Sequence, residues 1–92
     1  MPNSYRVAFT PAAQRDLVRL TPDTRKRIAE AIDKLQAVPR SPGVQALSGR
    51  QHELRIRVGD HRIIYEVQDR SRIVTVKLIA HRRDLYRRLN RL

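Results

Sequence analysis

The segment that most narrows what this chain can fold into is Leu54-Arg55-Ile56-Arg57-Val58-Gly59-Asp60-His61-Arg62-Ile63-Ile64-Tyr65-Glu66-Val67. Apolar and cationic residues alternate up to Val58, a Gly-Asp pair follows, and a β-branched and aromatic run succeeds it. This pattern predicts a β-hairpin with a two-residue turn at Gly59-Asp60. The turn sets the register: Val58 opposite His61, Arg57 opposite Arg62, Ile56 opposite Ile63 and Leu54 opposite Tyr65. Side chains alternate along a strand, so Leu54, Ile56, Val58, Ile63 and Tyr65 share one face and Arg55, Arg57 and Arg62 share the other. Like charges directly opposite each other destabilise a sheet. One arginine on such a face is ordinarily just solvated. A facing pair with a third beside it points to an anion, phosphate above all.

A further strand is expected over Arg72-Ile73-Val74-Thr75-Val76-Lys77-Leu78-Ile79-Ala80-His81, joined by a turn at Gln68-Asp69-Arg70-Ser71. With that four-residue loop Tyr65 faces Val74, Ile63 faces Val76 and Arg62 faces Lys77. Val74, Val76 and Leu78 then join the apolar face, and Thr75, Lys77, Ile79 and His81 join the arginines. A one-residue slip would reverse every assignment in this strand. On this register His81 stands beside Arg57, Arg62 and Lys77. A titrating imidazole among fixed cations suits acid–base chemistry on a phosphodiester.

The first half of the chain supports the sheet. Tyr5-Arg6-Val7-Ala8-Phe9 alternates as a short strand does. Thr10-Pro11 is a helix start signal, and Ala13, Leu17 and Leu20 form one apolar stripe. Thr21-Pro22 repeats the signal, and Ile28, Ile32 and Leu35 repeat the stripe through Val38, so the two helices make a hairpin. Pro39-Arg40-Ser41-Pro42-Gly43 ends it. Val44-Gln45-Ala46-Leu47 reads as a short edge strand before Ser48-Gly49-Arg50. Near the C-terminus Leu85, Leu89 and Leu92 are helically spaced, and Arg82, Arg83, Arg87, Arg88 and Arg91 thicken the positive charge. Tyr86, next to that leucine stripe and five residues after His81, serves either packing or chemistry.

Ninety-two residues suffice for a single domain, 1–92, with one modest core. A formal charge of +11 and a pI near 11.5 favour a polyanionic partner, nucleic acid or a strongly acidic protein. Without cysteine there are no disulfides or thiolate metal sites, which suits a reducing interior. His52, His61 and His81 lack metal-ligand spacing, so neither a metal nor another cofactor is expected. No apolar stretch has the length of a signal peptide or a membrane span. A cytoplasmic protein with no membrane partner is expected.

The order strand, Thr-Pro-capped helical hairpin, basic β-hairpin and final strand ending Ala80-His81-Arg82-Arg83-Asp84-Leu85-Tyr86 resembles the RelE/ParE superfamily of bacterial toxins. The resemblance runs from Tyr5 to Tyr86. It is most specific at Phe9-Thr10-Pro11-Ala12-Ala13, at residues 57–65 and at residues 81–86. It implies an α+β fold, an antiparallel sheet of four or five strands covered on one face by the N-terminal helical hairpin, with a short C-terminal helix. It also implies a toxin encoded beside a short antitoxin, here expected to be acidic. The RelE branch cleaves messenger RNA on the ribosome; the ParE branch inhibits DNA gyrase and is not a nuclease.

Carried over from the RelE branch, Arg57 and Arg62 become phosphate-stabilising residues, and His81 and Tyr86 the candidates for proton transfer. Arg55 and Arg82 become RNA contacts on the same resemblance, and Lys77, from the cationic strand face, and Arg83, from the C-terminal arginine run, are expected to join them. Arginine stands where some members have lysine, and it cannot usefully lose a proton at neutral pH. The implied reaction is metal-free: the ribose 2′-hydroxyl attacks the adjacent phosphorus and gives a 2′,3′-cyclic phosphate and a 5′-hydroxyl. Fixed donors around the phosphorane contribute about 2.7–4 kcal/mol each. His81 is the preferred proton carrier; Tyr86 orients it, stacks on a base or moves a proton itself. Gyrase inhibition and plain charge-driven nucleic-acid binding are the other readings, and for them His81 is incidental.

Overall fold

The computed structural model describes residues 4–40, 43–47 and 52–91. Within them the elements run β1 (Arg6–Phe9), α1 (Pro11–Arg19), α2 (Pro22–Ala37), β2 (Gln45–Ala46), β3 (Glu53–Val58), β4 (His61–Gln68), β5 (Ile73–His81) and α3 (Leu85–Leu89). The strands form one sheet in the order β1-β5-β4-β3-β2. From β2 to β5 every neighbouring pair is antiparallel. The β1–β5 pair is parallel, which makes the sheet mixed. The helical hairpin is the reason: it carries the chain from one sheet edge across to the other, and a crossover of that length allows parallel pairing.

Each helix begins where the sequence signals it. Thr10 accepts a hydrogen bond from the Ala13 N–H at 3.2 Å, and Thr21 one from the Thr24 N–H at 3.4 Å, each followed by proline at the first helical position. Ala13, Ile28, Ile32 and Leu35 are buried against Ile63, Tyr65, Val67, Val74 and Val76, with Leu17 and Leu20 packed around them. Tyr65 is fully buried, and its hydroxyl donates to the Pro39 carbonyl at 2.6 Å. Burial pushes its pKa up to about 12. Ser41, Pro42, Ser48, Gly49, Arg50 and Leu92 lie outside the described residues.

The β3–β4 hairpin has the expected register, including Arg57 opposite Arg62. Gly59 takes a positive φ of 59°, which its turn requires and which glycine adopts without strain. The β4–β5 register differs from the expected one in two steps. The connecting turn sits one residue later, so Gln68 pairs with Ile73, Val67 with Val74 and Tyr65 with Val76. This two-residue shift preserves the faces. A bulge then inserts Lys77: Ile64 pairs with Leu78, Ile63 with Ile79, Arg62 with Ala80 and His61 with His81. One extra residue turns over every side chain that follows it. Leu78 and Ala80 therefore lie on the face away from the helical hairpin, where they bury Leu85 and Leu89 of α3 together with Ile64. Ile79 and His81 pass to the hairpin side.

Asp16 locks this arrangement. It is a charged residue of α1 that is only 5% exposed. One carboxylate oxygen accepts the Ile79 N–H at 3.0 Å, past the end of β1, and the other accepts from Arg88 of α3 at 2.8 Å. Asp16→Ala removes both acceptors and is expected to lower stability by about 3 kcal/mol. Asp16→Asn keeps an acceptor for Ile79 and loses less. Urea unfolding of the two variants measures the difference.

Candidate functional site

Arg57 and Arg62 meet across β3 and β4 on the face opposite the helical hairpin. With Gly43, Gln45, Arg55 and Ile56 they line a cleft of about 530 Å³. Two contacts orient the Arg62 guanidinium: its Nη1 donates to the carbonyls of Gly59 at 3.1 Å and His61 at 2.9 Å. Arg55 donates to the side-chain oxygen of Gln45 on β2. Arg82, just past β5, lies 3.8 Å from the Asp60 carboxylate, and its backbone N–H donates to the Asp60 carbonyl. Partial burial and then the charges of Arg57, Arg55 and Arg82 hold the pKa of Arg62 below the ordinary arginine value. Three guanidinium groups thus line the concave surface, and the charge of Arg82 reaches Arg62 beside it. Such a surface binds anions, and phosphate matches the planar guanidinium fork.

Two expected members of this site sit elsewhere or act differently. His81 is not beside Arg57, Arg62 and Lys77. The bulge turns it to the helical-hairpin side, where its ring meets that of His61 edge to face at 5.4 Å. Its Nδ1 accepts the Arg83 N–H at 3.2 Å, so His81 shapes the turn that carries Arg82 and Arg83. Lys77 remains on the arginine side of the sheet but is neutralised: its ammonium reaches Glu53 at 2.8 Å and Glu66 at 2.9 Å. Bonding to Glu53 keeps its pKa above the usual lysine value. Tyr86 is 69% exposed on α3, the helix whose leucines pack onto the arginine side of the sheet. Arg83 is exposed at the turn before it. Among the described residues no three His, Cys, Asp or Glu side chains converge to hold a metal ion, and no helix is long and apolar enough to cross a membrane.

The family described as ParE toxin of the type II toxin–antitoxin system parDE matches residues 7–86 of this chain. The chain belongs to the RelE/ParE family of type II toxins. Toxin RelG of Mycobacterium tuberculosis is 32% identical over 85 residues, which span 91% of this chain and 98% of that protein. The archaeal RelE–RelB complex of Pyrococcus horikoshii OT3 matches with a TM-score of 0.74 and 27% identity, over 86% of this chain and 96% of that one. The intact Escherichia coli RelBE complex shares the fold at 20% identity, with a TM-score of 0.76 over 85% of this chain and 96% of that one.

Sequence reasoning missed two features of this RelE/ParE toxin. One is the Glu53–Lys77–Glu66 cluster, which interrupts the positive charge of the arginine face. Its signal is Glu53 opposite Glu66, a like-charge pair that needs a cation near it. The other is the toxin's Asp16 lock. A lone aspartate on an otherwise amphipathic helix carries no signal for it, because both of its partners come from the far end of the chain.

Proposed function

We propose that this toxin is a ribosome-dependent endoribonuclease that cuts messenger RNA by attack of the ribose 2′-hydroxyl on the adjacent phosphorus. The observation that supports it most is the convergence of Arg55, Arg57 and Arg62 on one cleft of the open sheet face, with Arg82 near enough to act on the charge of Arg62. In this reading Arg57 and Arg62 hold the scissile phosphate, and Arg55, Arg82 and Arg83 hold its neighbours. The 2′-oxygen forms a bond to phosphorus as the bond to the 5′-oxygen breaks, and the guanidinium groups offset the charge on the phosphorane. The 2′-proton passes to solvent water as the Tyr86 hydroxyl or water protonates the departing 5′-oxygen, and water restores the phenol, so no net proton is gained or lost. Tyr86, exposed on the same side, is the group assigned to proton movement, in place of His81. A shallow surface leaves in-line alignment to the ribosome, which acts as an entropy trap.

Programmed ribosomes test the reading: it expects message cut to a 2′,3′-cyclic phosphate and a 5′-hydroxyl without added metal. Intact message together with blocked gyrase supercoiling would overturn it. Gyrase inhibition is the second reading, favoured by His81 facing away from the arginines, since inhibition by binding needs no proton carrier. Under either reading the partner in the cell is an acidic antitoxin. The charge of +11 supports this, as do the RelB complexes in which the archaeal and E. coli relatives were solved. The ribosome as target makes the cytoplasm the place of action.

A further inference from the structure

A small cavity at the tip of the β3–β4 hairpin lies on the side away from the arginine cleft. It measures about 130 Å³ and is lined by Thr24, Arg27, Val58, Asp60, His61 and His81. His61 and His81 pair on the last rung of β4–β5. With Nδ1 of His81 accepting from Arg83, the neutral ring carries its proton on Nε2, which makes that nitrogen a donor. Arg27 reaches from α2 over the turn, close enough that a Cβ at Gly59 would stand 3.0 Å from its Nη2. No hydrogen bond or ion pair among the described residues occupies the Arg27 guanidinium. On the other side of the same turn Arg62 donates to the Gly59 carbonyl. Gly59-Asp60 is therefore a crest with one guanidinium on each slope.

We propose that Arg27, His61 and His81 form a second phosphodiester subsite, which holds the neighbouring phosphate of an RNA strand that crosses the hairpin tip from the arginine cleft. That the strand is RNA rests on the reading under Proposed function; the existence of an anion subsite does not. Guanidinium and imidazole N–H groups are donors suited to phosphate oxygens. The groups facing His61 are His81 from β5, Asp60 in the turn, Arg27 from α2 and Arg62 beside it on β4. Burial first, then His81, Arg27 and Arg62, hold its pKa below the ordinary histidine value, with Asp60 opposing. A bound phosphodiester anion favours the protonated ring, so anion affinity rises as the pH falls and His61 gains its proton.

Proton NMR of the histidine rings in the full chain tests the subsite, with inorganic phosphate and a short 2′-deoxyoligonucleotide as probes. The DNA probe carries phosphodiesters but lacks the attacking hydroxyl, so it is not cut. Both probes should shift the His61 and His81 signals more than that of His52, and more strongly at lower pH. Arg27→Gln should weaken both effects roughly tenfold, the loss expected for one charge-assisted contact. The same change should lower the magnitude of the salt slope of oligonucleotide binding by about 0.7, as for one phosphate contact on a single strand. Arg57→Ala, which cripples the open-face cleft, should leave the response to inorganic phosphate in place, so loss of the cleft and loss of the subsite read differently. Signals that stay fixed, or that shift alike in the Arg27→Gln protein, overturn the subsite. A response to phosphate with none to the oligonucleotide overturns its assignment to a nucleic-acid strand.

Discussion

Replacing Arg62 by alanine is expected to lower single-turnover cleavage of ribosome-bound message by about 10²–10³, the cost of removing one well-placed donor from a developing anion. The fold should tolerate the change. Arg62 lies opposite Arg57, and its pKa is depressed by burial and by three neighbouring arginines, so its charge stands at an electrostatic cost in the absence of ligand. Its loss also removes two hydrogen bonds to carbonyls of the hairpin turn, which water can replace at the half-exposed tip. The variant should therefore melt within a few degrees of the parent while losing its activity. A variant that cuts message at the parental rate removes Arg62 from the site. One that loses activity only because it unfolds would show a collapsed melting curve.

Tyr86→Phe is the other change with a large expected effect. It deletes one oxygen and keeps the ring, so packing and base stacking survive while any proton or hydrogen-bonding role is lost. If Tyr86 moves a proton, the chemical step should slow by roughly 10²–10⁴ with ribosome affinity retained. Should Tyr86→Phe cut normally and Tyr86→Ala fail, the ring acts by stacking. His81→Gln is the companion measurement. On the hairpin side of the sheet, with its Nδ1 bonded to the Arg83 N–H, His81 is expected to change RNA affinity and the placing of Arg82 more than the chemical step. A loss in the chemical step for His81→Gln equal to that for Tyr86→Phe would return proton transfer to His81.

The hairpin register was legible because a two-residue turn admits one pairing, so Arg57 against Arg62 follows from Gly59-Asp60 and the alternation around it. The helices were legible from local signals alone, Thr-Pro starts and apolar stripes, each of which acts within a few residues. The fate of His81 was not. It depends on Lys77 bulging out of β5, and a single inserted residue inverts a strand whose two faces both carry apolar side chains. The run Leu78-Ile79-Ala80 holds a trace of this, since three consecutive apolar residues break the alternation of a strand with one wet face. Reading it needs knowledge that α3 folds back to cover Leu78 and Ala80, a contact that Leu85 and Leu89 alone cannot announce.

What the sequence by itself determined is therefore everything set by neighbours along the chain: the strand and helix types, the two capped helices, the β3–β4 register and the cationic face. The parallel seating of β1, the bulge at Lys77, the burial of Asp16 between α1, β5 and α3, and the division of histidines from arginines across the sheet were decided only in three dimensions. Each depends on groups far apart in sequence competing for the same buried volume or the same unpaired backbone donor, as the Ile79 N–H does for Asp16. Local propensity is silent about such competition. The pairing of Arg57 with Arg62 could be read from the chain, but which face His81 shares had to wait for the packing of both sides of β5.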